Sequence, residues 1–344
     1  MRRFFMPINN VSLESINLTM YKILFIFLFI GQIAFAQITI KDSISTYPVS
    51  YATVSFGNGN GLFADDEGQF VFTKKLYPDI DSLFISALGF KDLNVATHNL
   101  PNHLLLQPEA SELDEVFIGT TLDRKFKEEE LKPSLDDDYY NCWLPTIESE
   151  IAVYFPKTTT KDQQLKEVVF PIALESKDWE KRNRRNSEKK KFSTLFKVKF
   201  YSNNNGVPGN VLTNETIVFR ATEKDGDAYE LNVDDHNIYI PDNGFFVSLQ
   251  VLGYTNKEGK LLPNKKYKEI ESRGGSVVKI PTNFRPLLPF TDDIASKNTF
   301  IKRVFISGNN WVKFDKGNQF KSSLLDKNLF NYGIGLTYKT FKDE

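Results

Sequence analysis

The chain has 344 residues, with 43 basic and 44 acidic side chains, so its formal net charge is −1. This balance argues against a general nucleic-acid-binding protein, which usually carries a basic excess. Aromatic residues make up 14% of the chain and include 30 Phe, and together with frequent Val, Ile and Thr they favour strands over helices. The length is sufficient for two domains of ordinary size.

The N-terminal region has the pattern of an export signal. Lys22 precedes an apolar run over 23–30, and an A-x-A site ends at Ala36. Signal peptidase recognises a basic flank, a short apolar segment and small residues at positions −3 and −1. The run is shorter than the ~20 residues that a membrane-spanning helix needs. We therefore expect cleavage after Ala36 and a mature chain that begins at Gln37 and has no transmembrane segment.

Two further details bear on the export interpretation. Met20 lies just before Lys22 and the apolar run, so residues 1–19 are a candidate for an over-called start. The single cysteine, Cys142, lies far beyond the cleavage site and cannot be the lipid-bearing first residue of a lipoprotein. It has no partner for an internal disulfide and no histidine near it in sequence. Beside Trp143, it is predicted to be a small core residue.

Residues 38–118 read as short strands separated by turns, which is typical of an all-β sandwich. Four elements occur in order: "PVSYATV" at 48–54, "DDEGQF" at 65–70, "DSLFISALGF" at 81–90 and "LDEVFI" at 113–118. With these elements the segment 37–118 resembles the carboxypeptidase-regulatory-like domain, a small transthyretin-like β-sandwich, although the glycine usual in its opening strand is missing. The resemblance implies a location in the envelope of a Gram-negative bacterium and no particular activity.

The acidic stretch 65–67 is the first candidate for chemistry. An EF-hand calcium loop fails here, because setting Gly61 or Gly68 at the sixth position puts Phe56 or Phe63 at the first ligand position. A hairpin tip explains the stretch better, since acids solvate the tip and glycine provides a positive φ.

The rest of the chain predicts a connector and a second sandwich. Residues 119–147 are rich in charge and predict a connector with a short helix over Arg124–Leu131. About ten strand signals over 148–344 predict a larger sandwich of jelly-roll type. "NNNGVPGN" at 203–210 and "PDNG" at 241–244 predict turns within it. This second part resembles uncharacterised companion domains in secreted bacterial proteins, and that resemblance implies no activity.

Candidate binding residues are few. Trp179 and Trp311 are candidates for stacking on sugar rings if their side chains are exposed. The basic run 177–191, with Arg184 and Arg185, is a candidate for contact with lipopolysaccharide or an anionic glycan. The alternative for this run is a solvated loop between two strands.

Motifs for cofactors and common enzymes are absent from the sequence. It contains no G-x-G-x-x-G, G-x-S-x-G or H-E-x-x-H pattern. His98, His103 and His236 do not have the spacing of a zinc site. We therefore expect no metal and no cofactor.

These observations lead to a functional expectation and two alternatives. The expected function is a non-enzymatic, exported envelope protein, periplasmic, outer-membrane-associated or secreted, that acts as a structural or protein-interaction module. Any ligand would bind to the second sandwich, and the partner would be an envelope protein or a glycan, with no nucleic acid. The first alternative is a carbohydrate-binding protein. The second is a hydrolase in which the acids 65–67 pair with Glu148, Glu150 or Asp234–Asp235.

Overall fold

The structure is a computed structural model of the chain. It describes residues 37–342 apart from 58, 110–123, 182–183, 185, 264–266, 272–274, 276, 294–297, 307, 309 and 319. The predicted signal segment up to Ala36, the predicted element at 113–118 and Arg185 lie outside these residues. The described chain is all-β, with a smaller sandwich followed by a larger one, which confirms the predicted fold class. In this part of the chain, no helix has both the length and the apolar character needed to cross a membrane.

The smaller sandwich has seven strands in two sheets. The strands are β1 Gln37–Asp42, β2 Thr53–Ser55, β3 Gly61–Phe63, β4 Gln69–Val71, β5 Ser82–Ser86, β6 Leu93–Ala96 and β7 His103–Leu106, and a 3-10 helix covers Thr97–Asn99. One sheet has the order β4-β1-β7 and the other β3-β2-β5-β6. Alternate residues of each strand point to opposite faces. Ile40, Val54 and Leu83 therefore meet in a core between the two sheets.

The acidic stretch 65–67 forms a turn, as predicted. The Asp65 carboxylate accepts backbone hydrogen bonds from Glu67 at 3.0 Å and from Gln69 at 2.7 Å, and Gly68 has a φ of +69°. The flanking strands do not pair with each other, because β3 pairs with β2 and β4 pairs with β1. The hairpin prediction therefore holds only for the tip. The turn carries the chain from one sheet of the sandwich to the other.

The larger sandwich contains the remaining elements. Its strands are β8 Phe126–Leu131, β9 Cys142–Trp143, β10 Ser149–Phe155, β11 Gln163–Pro171, β12 Ser193–Asn204, β13 Val207–Val211, β14 Ile217–Thr222, β15 Ala228–Asn232, β16 Phe245–Tyr254, β17 Tyr267–Glu271, β18 Val277–Pro281, β19 Leu288–Thr291, β20 Thr299–Arg303, β21 Val312–Lys313, β22 Asn331–Tyr332 and β23 Gly335–Phe341. Helix α1 covers Ser323–Asp326, and 3-10 helices cover Tyr139–Asn141, Trp179–Lys181, Asp234–His236 and Lys316–Asn318.

Two sheets enclose the main core of the larger sandwich. A seven-stranded sheet has the order β13-β12-β16-β10-β20-β21, with β14 also paired to β12, and a four-stranded sheet has the order β15-β11-β23-β8. Phe196, Val198 and Phe200 of β12 point toward the four-stranded sheet and share one core with Val168 and Phe170 of β11. A smaller sheet, β22-β19-β9, and the hairpin β17-β18 complete the unit.

The predicted helix over Arg124–Leu131 is wrong. Residues 126–131 form the edge strand β8, which pairs antiparallel with β23. Backbone pairing to β23 and an ion pair of 2.6 Å between Glu128 and Lys166 of β11 outweigh the local helix propensity of a Lys- and Glu-rich segment. Part of the predicted connector 119–147 therefore belongs to the larger sandwich.

The two sandwiches contact each other directly. The Ser55 hydroxyl of the smaller unit donates a buried hydrogen bond of 2.6 Å to the carbonyl of Phe305 in the larger one. The ring of Phe63 lies 5.2 Å from the Phe305 ring, between centroids. Gly61 is in the same contact, where a Cβ atom would lie 2.4 Å from Phe305 Cδ1 and 2.4 Å from the carbonyl oxygen of Val54. The absence of a side chain at Gly61 therefore allows the close approach.

Substitution of Gly61 by alanine tests this contact. We expect Gly61→Ala to lower the free energy of unfolding by about 1–3 kcal/mol, because the added methyl group overlaps a ring and a backbone carbonyl. Gly317→Ala is the matched control, since a Cβ there would meet only the Asp315 side chain, at 3.2 Å. Urea unfolding of both variants provides the measurement. Equal stability of the two variants would contradict the tight contact.

Candidate functional site

A cavity of about 710 Å³ opens at one end of the larger sandwich. Three chain segments form its walls: the β10–β11 connection, the β12–β13 turn and the segment between the Asp234–His236 helix and β16. Its lining is rich in amides, with the five asparagines Asn203, Asn204, Asn210, Asn237 and Asn243. We call this space the asparagine cavity.

Local sequence explains the shape of two walls. Asn205 and Gly206 have φ values of 52° and 88°, and consecutive positive φ values are typical of tight β-hairpin turns. This turn joins β12 to β13 and places Asn203 and Asn204 at the end of the sheet. Gly244 has a φ of 80°, and a Cβ there would lie 2.5 Å from the carbonyl oxygen of Phe155. The "NNNG" and "PDNG" turns therefore both need their glycines.

Hydrogen bonds connect these two walls. The Asn203 amide donates to the Asn243 carbonyl at 2.7 Å, and the Asn243 amide donates back to the Asn203 carbonyl at 2.8 Å. The Tyr154 hydroxyl donates to the same Asn243 carbonyl at 3.0 Å. Lys157, whose side chain is 7% exposed, bridges from the third wall to Asp242 at 2.5 Å. These contacts connect the three walls of the cavity to one another.

The charges of the cavity balance each other. Asp242 pairs with Lys157, and Asp162 pairs with Arg124 at 2.8 Å. The other lining groups include amides, hydroxyls and the ring of Tyr239. Amides donate and accept hydrogen bonds, so this lining matches an uncharged ligand with several hydroxyl groups.

Trp179 and Arg184 lie outside this cavity. The Trp179 side chain is 53% exposed and packs edge-to-face against Tyr139, with 5.1 Å between ring centroids. Arg184 is exposed, and its carbonyl accepts hydrogen bonds from Ser187 and Lys189. Within the basic run 177–191, ion pairs neutralise several lysines, namely Lys177 with Glu188, Lys181 with Asp178 and Lys190 with Glu175. Three lysines of the run are therefore held in ion pairs.

Trp311 lies on the outer face of the seven-stranded sheet. Its ring meets Tyr201 edge-to-face at 5.5 Å, and Lys302 Nζ lies 5.8 Å from its centroid. Phe246 and Phe300 are buried in the same small cluster. The two candidate tryptophans are thus in different environments, and neither lines the asparagine cavity. They do not form a shared surface for stacking on sugar rings.

Glu150 is buried on that outer face and is held as part of a network. Its carboxylate accepts hydrogen bonds from Tyr201 at 2.8 Å and Ser248 at 2.7 Å, and Lys199 Nζ lies 3.6 Å away. Burial alone would raise the pKa of Glu150, but Lys199, Ser248 and Tyr201 more than offset this and lower it. A carboxyl held this way stays ionised, which does not suit a general acid.

The other acids proposed for a hydrolase are also placed apart from the cavity. Asp234 pairs with Lys339 at 2.6 Å, Glu148 is buried, and the acids 65–67 lie on the smaller sandwich. The structure instead brings Asp162 and Asp242 into one cavity. Sequence reasoning missed this pair, because the two residues are far apart in the chain and each belongs to an ordinary polar loop.

Metal and thiol chemistry find no support in the geometry. Among the residues that the structure describes, no group of three or more His, Cys, Asp or Glu side chains is arranged to hold a metal ion. His236 bonds to the Glu215 carboxylate. Cys142 is buried, and burial together with nearby acids raises the pKa of its thiol far above the ordinary value. Such a thiol is a poor nucleophile.

Comparisons with known proteins give little guidance. No protein-family profile and no curated protein matches the chain. Among solved structures, the Clostridial cysteine protease Cwp84 after propeptide cleavage aligns over 62% of this chain at 13% identity, with a TM-score of 0.31. The cysteine protease and lectin-like domains of Cwp84, a surface layer associated protein of Clostridium difficile, align over 62% at 13% identity, with a TM-score of 0.30. This chain spans 40% and 36% of those two chains. Such TM-scores establish neither a shared fold nor a shared function.

The Glu150 network predicts a pH dependence of stability. Because folding lowers the pKa of Glu150 from 4.5, its ionised form stabilises the fold above that value, and this contribution is lost as the pH falls through the folded-state pKa. We expect Glu150→Gln to lower the free energy of unfolding at neutral pH by about 1–3 kcal/mol and to reduce its decline in acid. Urea unfolding at several pH values measures both effects.

Glu258→Gln serves as the control for this measurement, because Glu258 is exposed on a turn. We expect this variant to follow the wild-type curve within about 0.5 kcal/mol. A Glu150→Gln curve that runs parallel to the wild type at every pH would show that Glu150 does not titrate in the way described.

Proposed function

We propose that the protein is a non-catalytic binding module of the bacterial cell envelope, and that its larger sandwich binds a neutral carbohydrate in the asparagine cavity. The observation that carries the proposal is the lining of this cavity, where five asparagines converge from two of its three wall segments. The smaller sandwich is a structural module in this proposal, docked on the larger one through Ser55 and Phe63.

Carbohydrate suits the cavity for chemical reasons. Sugar hydroxyls donate and accept hydrogen bonds, and an amide offers both functions in one plane. The side chains of Asn204 and Asn210 are exposed within the lining and are accessible to a ligand. The walls are already fixed by the Asn203–Asn243 bonds, so binding does not have to order them. The internal ion pairs leave little net charge to attract an ionic ligand.

A hydrolase remains the rival with a specific observation in its favour, because Asp162 and Asp242 line the same cavity. A glycosidase needs one carboxyl as proton donor and a second as base or nucleophile. Here each carboxylate accepts hydrogen bonds from a cation, Asp162 from Arg124 and Asp242 from Lys157. Neither is placed as a proton donor, and binding without hydrolysis is the simpler function.

The envelope location rests on the export signal and on the resemblance to the carboxypeptidase-regulatory-like domain. Both are features of the sequence, since residues 1–36 lie outside the described part of the chain.

The binding proposal predicts loss of affinity on truncation of cavity amides. Native gels containing neutral polysaccharides identify a ligand, and calorimetry with an oligosaccharide prepared from it gives the affinity. We expect Asn204→Ala and Asn210→Ala each to weaken binding about threefold to tenfold, because each removes hydrogen bonds worth about 0.5–1.5 kcal/mol. Asn94→Ala, an exposed asparagine on β6 of the smaller sandwich, is expected to bind as wild type.

Two outcomes would overturn this proposal. One is the absence of retardation by any neutral polysaccharide, or equal affinity of all three variants. The other is the release of new reducing ends from the bound polysaccharide. Loss of this release in Asp162→Asn or Asp242→Asn would assign the hydrolysis to this cavity.

The export proposal has its own test. We expect N-terminal sequencing of the protein from the native organism to begin at Gln37 and the protein to fractionate with the cell envelope. Replacement of Ala34 and Ala36 by bulky residues is expected to block cleavage, because signal peptidase requires small side chains at these two positions. An intact Met1 or Met20 in a cytoplasmic fraction would contradict export.

A further inference from the structure

A second concave site lies between the two sandwiches and is separate from the asparagine cavity. This interdomain cleft has a volume of about 470 Å³. The smaller sandwich contributes Tyr47, Tyr51 and Thr53, and the larger one contributes Lys197 and Lys199 of β12. Hydroxyl groups of both units also line it.

Lys197 is the unusual group in this cleft. It belongs to the outer face of the seven-stranded sheet and is only 9% exposed. Its ammonium group donates a hydrogen bond of 2.7 Å to the carbonyl of Tyr51 in the smaller sandwich and lies 5.7 Å from the centroid of the Phe63 ring. A carbonyl and a ring face satisfy it only in part, because an ammonium group has three donors and a full positive charge.

The groups around Lys197 compensate its charge only in part. Among the ion pairs of the described residues, none includes Lys197, whereas Lys199 on the same strand pairs with Glu150 of β10. Tyr51 lines the same cleft. Burial, reinforced by Lys199 and opposed by Glu150, lowers the pKa of Lys197 to about 7. A buried amine that lacks a counter-ion is costly to keep charged.

The two carboxylates that line the cleft are occupied elsewhere. Asp42 accepts hydrogen bonds within its own turn, from the Ile44 backbone at 2.8 Å and the Ser45 hydroxyl at 2.6 Å. Glu215 bonds to His236, outside the cleft lining. Neither acts as the counter-ion of the buried lysine, so the missing negative charge is one that a ligand can supply.

We propose that the interdomain cleft is a binding site for a small oxyanion such as phosphate or sulfate, with Lys197 as its principal cation. An oxyanion in the cleft accepts from the Lys197 ammonium group and from neighbouring hydroxyls, and Thr53 and Ser86 of the smaller sandwich are placed to donate. Because its ligands come from both sandwiches, the bound anion strengthens their contact.

Calorimetry with inorganic phosphate, at constant ionic strength set with sodium chloride, tests the site in the full mature chain. We expect saturable binding of one phosphate, weakened at least about tenfold in Lys197→Met, because a charge-assisted hydrogen bond is worth about 1.5–3 kcal/mol. Lys313→Met is the matched control, since Lys313 lies on the same sheet face against Phe300, outside the cleft. It is expected to bind as wild type.

A second measurement uses sulfate, which remains a dianion between about pH 6 and 8. Bound sulfate favours the charged form of Lys197, so binding takes up a proton above about pH 7, and sulfate affinity falls as the pH rises through that value. Calorimetry in buffers of different ionisation enthalpy measures this uptake. Lys197→Arg is expected to retain binding and to lose the uptake, because guanidinium stays charged.

Each result of these experiments supports or overturns the proposed anion site. Loss of binding in Lys197→Met, with retained binding and no proton uptake in Lys197→Arg, supports the site. If Lys197→Met does not fold, proton uptake on sulfate binding by the wild type, compared with Lys197→Arg, provides the test of the site. Absence of saturable binding by the wild type, wild-type affinity in a folded Lys197→Met, or proton uptake that persists in Lys197→Arg would each overturn it.

Discussion

Strand β12 packs against other parts of the protein on both of its faces. The positions of its neighbouring strands and of both candidate sites depend on its register. Its inward residues, Phe196, Val198 and Phe200, form part of the main core. Its outward residues, Lys197, Lys199 and Tyr201, alternate with them and cannot move inward without a shift of register that would expose the aromatic side chains. The strand also pairs with β13, β14 and β16, so its register fixes the positions of three neighbours.

Because of this fixed register, the outer face of the sheet carries buried polar groups. Glu150 and Lys199 are drawn into a hydrogen-bonded network with Tyr201 and Ser248, and a buried ion pair of this kind stabilises a fold little more than apolar packing would. Such a network does, however, specify one arrangement, because each polar group loses its partner if a strand slips. Lys197 extends the face toward the smaller sandwich, where its bond to the Tyr51 carbonyl connects the two units.

Local sequence predicted the parts of this structure that are locally determined. Alternating apolar residues located β1, and runs rich in aromatic and β-branched residues located β10, β12 and β16. The turn at 65–68 followed from its acids and glycine. The sequence did not predict that this turn joins two sheets, because strand pairing depends on segments that are distant in the chain. The same reason explains the failure at 126–131, where pairing with β23 replaces a helix that local propensity favours.

The candidate sites were less predictable than the fold. Trp179 and Trp311 were chosen for their residue type, yet the first packs against Tyr139 and the second against Tyr201. The asparagines of the "NNNG" and "PDNG" turns were interpreted correctly as turn residues. Their joint use in a cavity arises because both turns lie at the same end of the sandwich, and only the sheet topology brings them there.

The asparagine cavity and the interdomain cleft are related through β12 and yet independent. Lys197 and Asn203 are six positions apart on the strand (203 − 197), which separates them by about 20 Å at 3.3 Å per residue. The linings of the two sites share no residue. The carboxylates of the cavity pair with Lys157 and Arg124, whereas Lys197 in the cleft has no carboxylate in ion-pair contact among the described residues. One rigid strand therefore presents two sites of different chemistry, one suited to a neutral ligand and the other to an anion.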